Sequence, residues 1–188
     1  MKINSRKLTI LAMCIAINLV GAWIALIFKL PIYLDSIGTI MAGFSFGPGF
    51  GIITGVITSF VNMLGDPIAI YFLPTQLIVG YIAGAVTVLK EKNSYKKIYQ
   101  AFIMSIPAAI SSALIATYVF GTVTTAGSSY IVQFLRATLN MSDFLIVFIV
   151  QIVTDYADKF IGIFLVAKIY NMEAFQKILE RDRYRLKK

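Results

Sequence analysis

The sequence contains no histidine and only one cysteine among 188 residues. Without histidine, the commonest general base, the Ser-His triad and histidine metal sites are all excluded. The single cysteine, Cys14, can form neither a disulfide framework nor a cysteine metal cluster within the chain. The sequence also lacks the Gly-x-x-x-x-Gly-Lys-Ser/Thr phosphate loop, so any ATP hydrolysis linked to this protein belongs to another chain. We therefore expect no catalysis, no cofactor and no metal.

Charged residues are scarce as well, at 14% of the chain, where a soluble domain has about 25%. Hydrophobic residues make up 59%, and they form runs of roughly 20 residues, long enough to cross a hydrocarbon layer. The net charge of +8 comes from basic residues at the ends of these runs. This pattern indicates membrane topology and argues against nucleic-acid binding.

The apolar runs predict an all-α integral membrane protein, a bundle of six transmembrane helices in one domain. The first run is too long for a signal peptide and is interpreted as a retained span. The predicted spans are 8–28, 37–46, 50–64, 68–89, 98–120 and 143–170, followed by a basic tail, 171–188.

Six spans place both termini on the same side of the membrane. The N-terminus, the tail and the loop Lys90–Lys97 are rich in lysine or arginine, whereas the opposite face has Asp35, Asp66 and Asp143. By the positive-inside rule, both termini are predicted to be cytoplasmic.

Glycines recur every four residues at Gly43, Gly47, Gly51 and Gly55, across a turn at Pro48. The array predicts two short helices that meet tightly around the turn. Irregular backbone at a transport site is one interpretation of short, glycine-interrupted segments. Simple close packing of helices is the other.

The last span carries ionisable residues near its middle, where a charge costs roughly 2.5–3.5 kcal/mol at bilayer depth. One helical stripe contains Gln151, Asp155, Asp158 and Lys159. The stripe is therefore expected to face the bundle interior or a wet cavity. Asp155 and Lys159 have the spacing of an intrahelical ion pair. That pair either fixes helix packing alone or shares Asp155 with a ligand.

Polar residues of three outward loops are expected to converge on the outer mouth of the last span. The long connection Gly121–Ser142 is both too polar to cross the membrane and too apolar for a free linker, so we expect it to fold over a cavity. Aromatic walls with a few placed polar groups are typical of small-molecule pockets. The predicted substrate-binding residues are Asp35, Asn62, Asp66 (alternatively only a helix cap), Tyr71, Gln76, Arg136, Asn140, Gln151, Asp155 and Lys159.

A resemblance to a known family covers nearly the whole chain. The chain resembles the S components of energy-coupling factor (ECF) transporters. The features that carry this resemblance are Ala12-x-x-x-Ala16, Leu34-Asp-Ser-Ile-Gly-Thr39, Phe46-Gly-Pro-Gly-Phe-Gly51 and Asp155-x-x-Asp158-Lys159.

The resemblance implies a six-helix bundle in the cell membrane, a prokaryotic plasma membrane, that captures a vitamin or vitamin precursor from outside. It implies partners as well: a transmembrane T component, contacted through Ala12 and Ala16, and two ATP-binding subunits. The riboflavin-type or hydroxymethylpyrimidine-type branch is the most similar. A thiamine-precursor pyrimidine is the preferred substrate, with riboflavin and pantothenate as alternatives.

Two functions of other classes stay open at this point. One is an integral membrane enzyme that uses Asp155 and Asp158 as paired carboxylates, although no nucleophile–base spacing supports it. The other is a structural or assembly protein whose charged last span pairs with a partner helix.

Overall fold

The computed structural model describes residues 5–86, 94–173 and 175–177. The loop from Lys90 to residue 93, the end of the predicted fourth span at 87–89, and the tail from 178 onward lie outside the described residues. The helices are α1 (Ser5–Ile27), α2 (Ile37–Phe46), α3 (Pro48–Asn62), a 3₁₀ helix (Pro67–Phe72) that continues into α4 (Leu73–Ala85), α5 (Ser94–Tyr118), α6 (Ser128–Thr138) and α7 (Asp143–Tyr170).

Among the described residues, three segments are long and apolar enough to cross a membrane: Ser5–Ile27, Pro67–Ala85 and Tyr95–Tyr118. Helix α7 has 28 residues, but its apolar surface is interrupted by the charged stripe. Helix α2 has 10 residues, a length of about 15 Å, or half of a hydrocarbon layer of about 30 Å. The chain is an all-helical membrane protein, as its composition predicts.

The turn between α2 and α3 depends on its two special residues. Gly47 has a φ of 97°, a conformation that favours glycine, and Pro48 occupies the first turn of α3. Proline fits there because a first-turn N–H has no partner within the helix. The two short helices therefore form a sharp hairpin, as the glycine pattern predicts.

Glycines bring the hairpin into direct backbone contact with α4. A Cβ atom on Gly51 would lie 2.3 Å from the carbonyl oxygen of Gly80, and one on Gly84 would lie 2.1 Å from the nitrogen of Pro48. Such contacts are the means by which small residues hold membrane helices together. They favour the close-packing interpretation of the glycine array.

Asn18 of α1 ties three helices together from a fully buried position. Its Oδ1 accepts a hydrogen bond from the Gly38 backbone N–H of α2 at 2.6 Å. Its Nδ2 donates to Thr39 Oγ1 of α2 at 2.9 Å and to Thr58 Oγ1 of α3 at 3.1 Å. With all of its bonds made inside the bundle, Asn18 fixes the position of α1 against the hairpin.

Helix α7 packs against α5, α2 and α6, and its polar stripe faces inward. The stripe residues Gln151, Asp155, Asp158, Lys159 and Gly162 are all buried. Apolar side chains of α2, α5 and α7 fill the core below the stripe, and α6 covers a second apolar cluster above it. The charges thus lie between two apolar layers, at one end of an internal cavity.

Candidate functional site

A cavity lies where the α1–α2, α3–3₁₀ and α5–α6 connections come together above the polar stripe. The centre of a water molecule can occupy about 100 Å³ of it, several times the roughly 10–15 Å³ that one water needs. Six predicted binding residues line it: Asp35, Asn62, Asp66, Gln76, Asp155 and Lys159. The cavity can therefore hold a small organic molecule among polar groups from α3, α4, α7 and two loops.

The deep end of the cavity is built on a buried ionic triad. Lys159 Nζ lies 3.1 Å from Asp155 Oδ1 and 2.9 Å from Asp158 Oδ2. The three residues are between 0 and 2% exposed. Burying charges is costly unless they are paired and hydrogen-bonded. One ammonium group serves two carboxylates here, so the triad retains a negative charge of one when all three groups are ionised.

Asp158 is the structural member of the triad. Its Oδ1 accepts a hydrogen bond from the Leu34 backbone N–H at 2.7 Å, and its Oδ2 accepts from Ser36 Oγ at 2.9 Å. Leu34 has a φ of 53°, uncommon for a residue with a side chain. Asp158 therefore fixes the α1–α2 loop in an unusual conformation on α7.

Asp155 faces the cavity and is less completely satisfied. Its Oδ1 accepts from Lys159, and its Oδ2 lies 3.1 Å from Ser112 Oγ of α5. The same Ser112 hydroxyl lies 2.9 Å from the carbonyl oxygen of Ala108 and 3.3 Å from that of Ala109. A hydroxyl has one proton to donate, so it cannot serve all three acceptors at once. Oδ2 of Asp155 is the triad oxygen most open to a ligand.

Asp35 enters the cavity from the α1–α2 loop and is half-buried. The Gln76 amide lies in the same lining and favours the ionised form of the Asp35 carboxylate. Burial raises the pKa of Asp35 to about 6; the neighbouring charge of Asp158 adds to this increase and the Lys159 ammonium opposes it. Asp35 therefore changes charge within an ordinary range of pH.

Tyr33 joins the loop to two helices beside the cavity. Its hydroxyl donates to Gln151 Oε1 of α7 at 2.9 Å and lies 3.2 Å from Ser128 Oγ of α6. Burial raises the pKa of Tyr33 to about 12. The phenol is therefore neutral at physiological pH and acts as a hydrogen-bond donor. It also separates Gln151 from the cavity.

The segment Thr124–Gly127 covers the cavity and is fastened from two sides. Thr125 Oγ1 donates to Asp66 Oδ2 at 2.6 Å, and Lys29 Nζ donates to the Thr125 carbonyl oxygen at 3.4 Å. Asp66 also caps the 3₁₀ helix, since its Oδ1 accepts from the Ile68 backbone N–H at 3.2 Å. Asp66 thus combines the capping role considered for it with a place in the cavity wall.

Four predicted binding residues lie outside the lining. Tyr71 is 53% exposed and contacts the Phe120 ring edge-on. Arg136 forms an exposed ion pair with Asp143 at 2.9 Å. Asn140 is exposed, and Gln151 lies behind Tyr33.

Sequence reasoning did not single out Tyr33, Thr125 or Phe72 as parts of the site. Phe72 and Tyr33 both line the cavity, and Thr125 lies in its cover. The cluster of threonines and serines from Thr122 to Ser129 was the available signal for the cover, because it is the most polar part of the long connection.

The predicted partner-contact residues lie on the outside of the bundle. Ala12 and Ala16 are both exposed on α1. Their separation of four residues places them on one helical face. This face is open to a partner helix and is separate from the cavity, whose α1 lining begins at Ala22.

Comparison with known families gives the class of this protein. The family model described as "ECF transporter, substrate-specific component" matches residues 6–170. The chain therefore belongs to the family of ECF transporter substrate-specific components. No curated protein and no solved structure matches it.

Family membership defines the general role of the cavity. The chain is a substrate-capture subunit and not an enzyme. Its partners are a small-molecule substrate, the T component and the ATPase subunits of the ECF complex. The paired-carboxylate enzyme considered from the sequence is therefore excluded.

Proposed function

We propose that this subunit captures a thiamine-precursor pyrimidine, hydroxymethylpyrimidine, from outside the cell. The observation that carries this proposal is the excess of carboxylates in the cavity: Asp35, Asp66 and Asp155 line it together with one cation, Lys159. An aminopyrimidine presents an amino group, which donates hydrogen bonds to acceptor oxygens, and a basic ring nitrogen that also becomes a donor when it is protonated. Carboxylates form their strongest hydrogen bonds with charged donors.

The rest of the lining suits the faces of a flat ring. The apolar walls of the cavity are formed by Leu26, Leu30, Ile68, Phe72 and Val79. Small-molecule sites typically combine such walls with a few polar groups that fix orientation. Asn62, Gln76 and Ser112 are neutral polar groups within reach of ring substituents such as a hydroxymethyl group.

The same charge pattern separates the alternative substrates. Pantothenate has a carboxylate of its own, which the acidic lining repels at low dielectric. Riboflavin is neutral: its ring system has one N–H group and several acceptors, and its ribityl hydroxyls donate without bringing the positive charge that three carboxylates favour. The cavity therefore favours the pyrimidine over both vitamins.

We also infer a bundle of six membrane-embedded helices with cytoplasmic termini in a prokaryotic plasma membrane: α1, α2, α3, the 3₁₀–α4 segment, α5 and α7. Of these, α2 reaches across only about half of the hydrocarbon layer. Asp35 and Asp66 lie at the cavity end, whereas Lys7, Lys97 and Lys168 lie at the other ends of their helices. This distribution is what the positive-inside rule expects when the cavity opens outward.

Ligand binding by the purified full-length protein tests the proposal. We expect mass spectrometry to find a pyrimidine released from the protein, and calorimetry to show tight binding of hydroxymethylpyrimidine but not pantothenate. Tighter binding of riboflavin would contradict the proposed substrate. Failure of the folded protein to bind any of the three would overturn the proposed substrate and show that the subunit captures another small molecule.

Asp155→Asn is expected to weaken pyrimidine binding tenfold or more, about 1.4 kcal/mol, because Oδ2 loses its negative charge next to the ligand. The protein should remain folded, since the amide has the same shape and Lys159 keeps Asp158 as its partner. Calorimetry with a parallel thermal melt measures both quantities. Asp143→Asn, an exposed carboxylate outside the cavity, is the matched control. Equal affinities of the two variants would show that Asp155 only stabilises the fold.

A further inference from the structure

Asp35 is the cavity carboxylate whose charge is least compensated by direct contacts. Asp155 is paired with Lys159, and Asp66 accepts from Thr125 and from the Ile68 backbone. Asp35, by contrast, has the neutral Gln76 amide as its neighbour in the cavity lining. A half-buried carboxylate without a counter-ion is costly, and a ligand that supplies positive charge would remove that cost.

The surroundings of Asp35 reinforce its need for a cation. Helix α7 presents Asp155, Asp158 and Lys159 to it, α4 presents Gln76, and its own loop presents the neutral Tyr33 phenol. When all are ionised, the three aspartates and one lysine carry −3 + 1 = −2 charges. The ammonium group of Lys159 already lies against two other carboxylates. Asp35 is therefore the position at which an incoming positive charge relieves the most repulsion.

The structure points to a specific subsite, which rests on the function proposed above. We propose that Asp35 binds the amidine edge of the pyrimidine, formed by its amino group and the adjacent ring nitrogen, and that this pair contains one shared proton. Two carboxylate oxygens match two parallel N–H groups, as in fork-shaped pairs between arginine and carboxylates. Gln76, which accepts a hydrogen bond from Thr39 Oγ1 at 3.4 Å, lies in the same cavity lining as the Asp35 carboxylate.

A shared proton makes binding depend on pH in both directions. Burial and the charge of Asp158 raise the pKa of Asp35 to about 6 in the empty protein. At alkaline pH both Asp35 and the ring nitrogen are unprotonated, so the complex must take up one proton. At acid pH both are protonated, so the complex must release one. Affinity should therefore peak between the pKa of Asp35 and the pKa of the ligand's ring nitrogen. It should fall by about tenfold per pH unit on either side of that range.

The test is calorimetry of hydroxymethylpyrimidine binding to the purified full-length protein between pH 5 and 9. Buffers of different ionisation enthalpy measure the protons exchanged, and we expect uptake of one proton at pH 8. In Asp35→Asn the amide presents one acceptor and one donor to the neutral amidine edge, so no proton is needed. Its affinity should stay constant above pH 7, whereas that of the native protein falls tenfold per unit.

Two further variants keep the test decisive if Asp35→Asn does not fold. Asp143→Asn should retain the full pH profile, and Asp155→Asn should bind more weakly but still take up one proton at pH 8. Loss of proton uptake in Asp155→Asn would identify Asp155 as the acceptor and overturn the assignment to Asp35. So would retention of the alkaline decline in Asp35→Asn.

Two results separate the Asp35 subsite from the identity of the substrate. Native protein that binds the pyrimidine without proton uptake at pH 8 overturns the Asp35 subsite and leaves the substrate intact. Native protein that shows no pyrimidine binding at any pH overturns the substrate, and the subsite with it.

Discussion

Lys159→Met is expected to destabilise the folded protein by about 3–5 kcal/mol, the cost of breaking a buried ion pair. This corresponds to a fall of roughly 10²–10⁴-fold in the ratio of folded to unfolded protein. Methionine fills a similar volume but leaves Asp155 and Asp158 facing each other without their shared ammonium group. Because Asp158 also holds the α1–α2 loop, the damage extends from the triad to the cavity.

Thermal and denaturant unfolding in detergent measure this effect. Lys168→Met provides the matched control, because Lys168 lies on the same helix but is exposed. The double variant Lys159→Met/Asp155→Asn should recover part of the loss, since it removes one of the two unpaired charges. Equal stability of the Lys159→Met and Lys168→Met variants would show that the triad is not ionised in the folded protein.

Tryptophan at Ala12 and Ala16 is expected to abolish substrate uptake in cells while leaving substrate binding unchanged. Both residues lie exposed on α1, where small side chains permit close approach of another membrane helix. Two indole rings would keep a T-component helix several ångströms away, whereas the cavity lies elsewhere in the bundle. Uptake of radiolabelled substrate and calorimetry on the purified subunit separate the two effects.

Leu114→Trp serves as the control for this experiment, because Leu114 is 43% exposed on α5, away from the α1 face. It should retain uptake. Uptake that persists in the Ala12/Ala16 variant would contradict the assignment of this face to the T component. Loss of uptake in both variants would indicate a general effect of bulky surface side chains.

Apolar run length locates helices in the described part of this chain, whereas the crossing of the membrane by each of the six predicted spans stays a prediction. The predicted spans 37–46 and 143–170 coincide with α2 and α7, and the others differ from the observed helices by a few residues at each end. Length is informative because every backbone polar group within the bilayer must be satisfied inside its own helix. The exception is α6, within the long connection, where the apolar residues Tyr130, Ile131, Phe134 and Leu135 have helical spacing.

Helical spacing also predicts the inward-facing stripe, but not the roles of its members. Asp155 and Asp158 are equivalent in the sequence, three residues apart on one helix. Their difference comes from partners far away in the chain: Ser112 for one, and Leu34 and Ser36 for the other. Likewise, Asn18 is an isolated amide in an apolar run, and its three partners lie 20 to 40 residues away. Such contacts depend on tertiary packing, which periodicity does not encode.

The bond between Asp158 and the α1–α2 loop has a consequence for biosynthesis. Asp158 and Leu34 are 124 positions apart, so a ribosome that has completed the loop must still synthesise most of the protein before its anchor emerges. Until α7 inserts, Leu34 has no carboxylate to stabilise its left-handed backbone, and the deep end of the cavity is missing. A chain that ends before α7 therefore lacks Asp155, Asp158 and Lys159 and cannot form the deep end of the cavity. The protein can therefore bind substrate only after α7 has been synthesised and inserted.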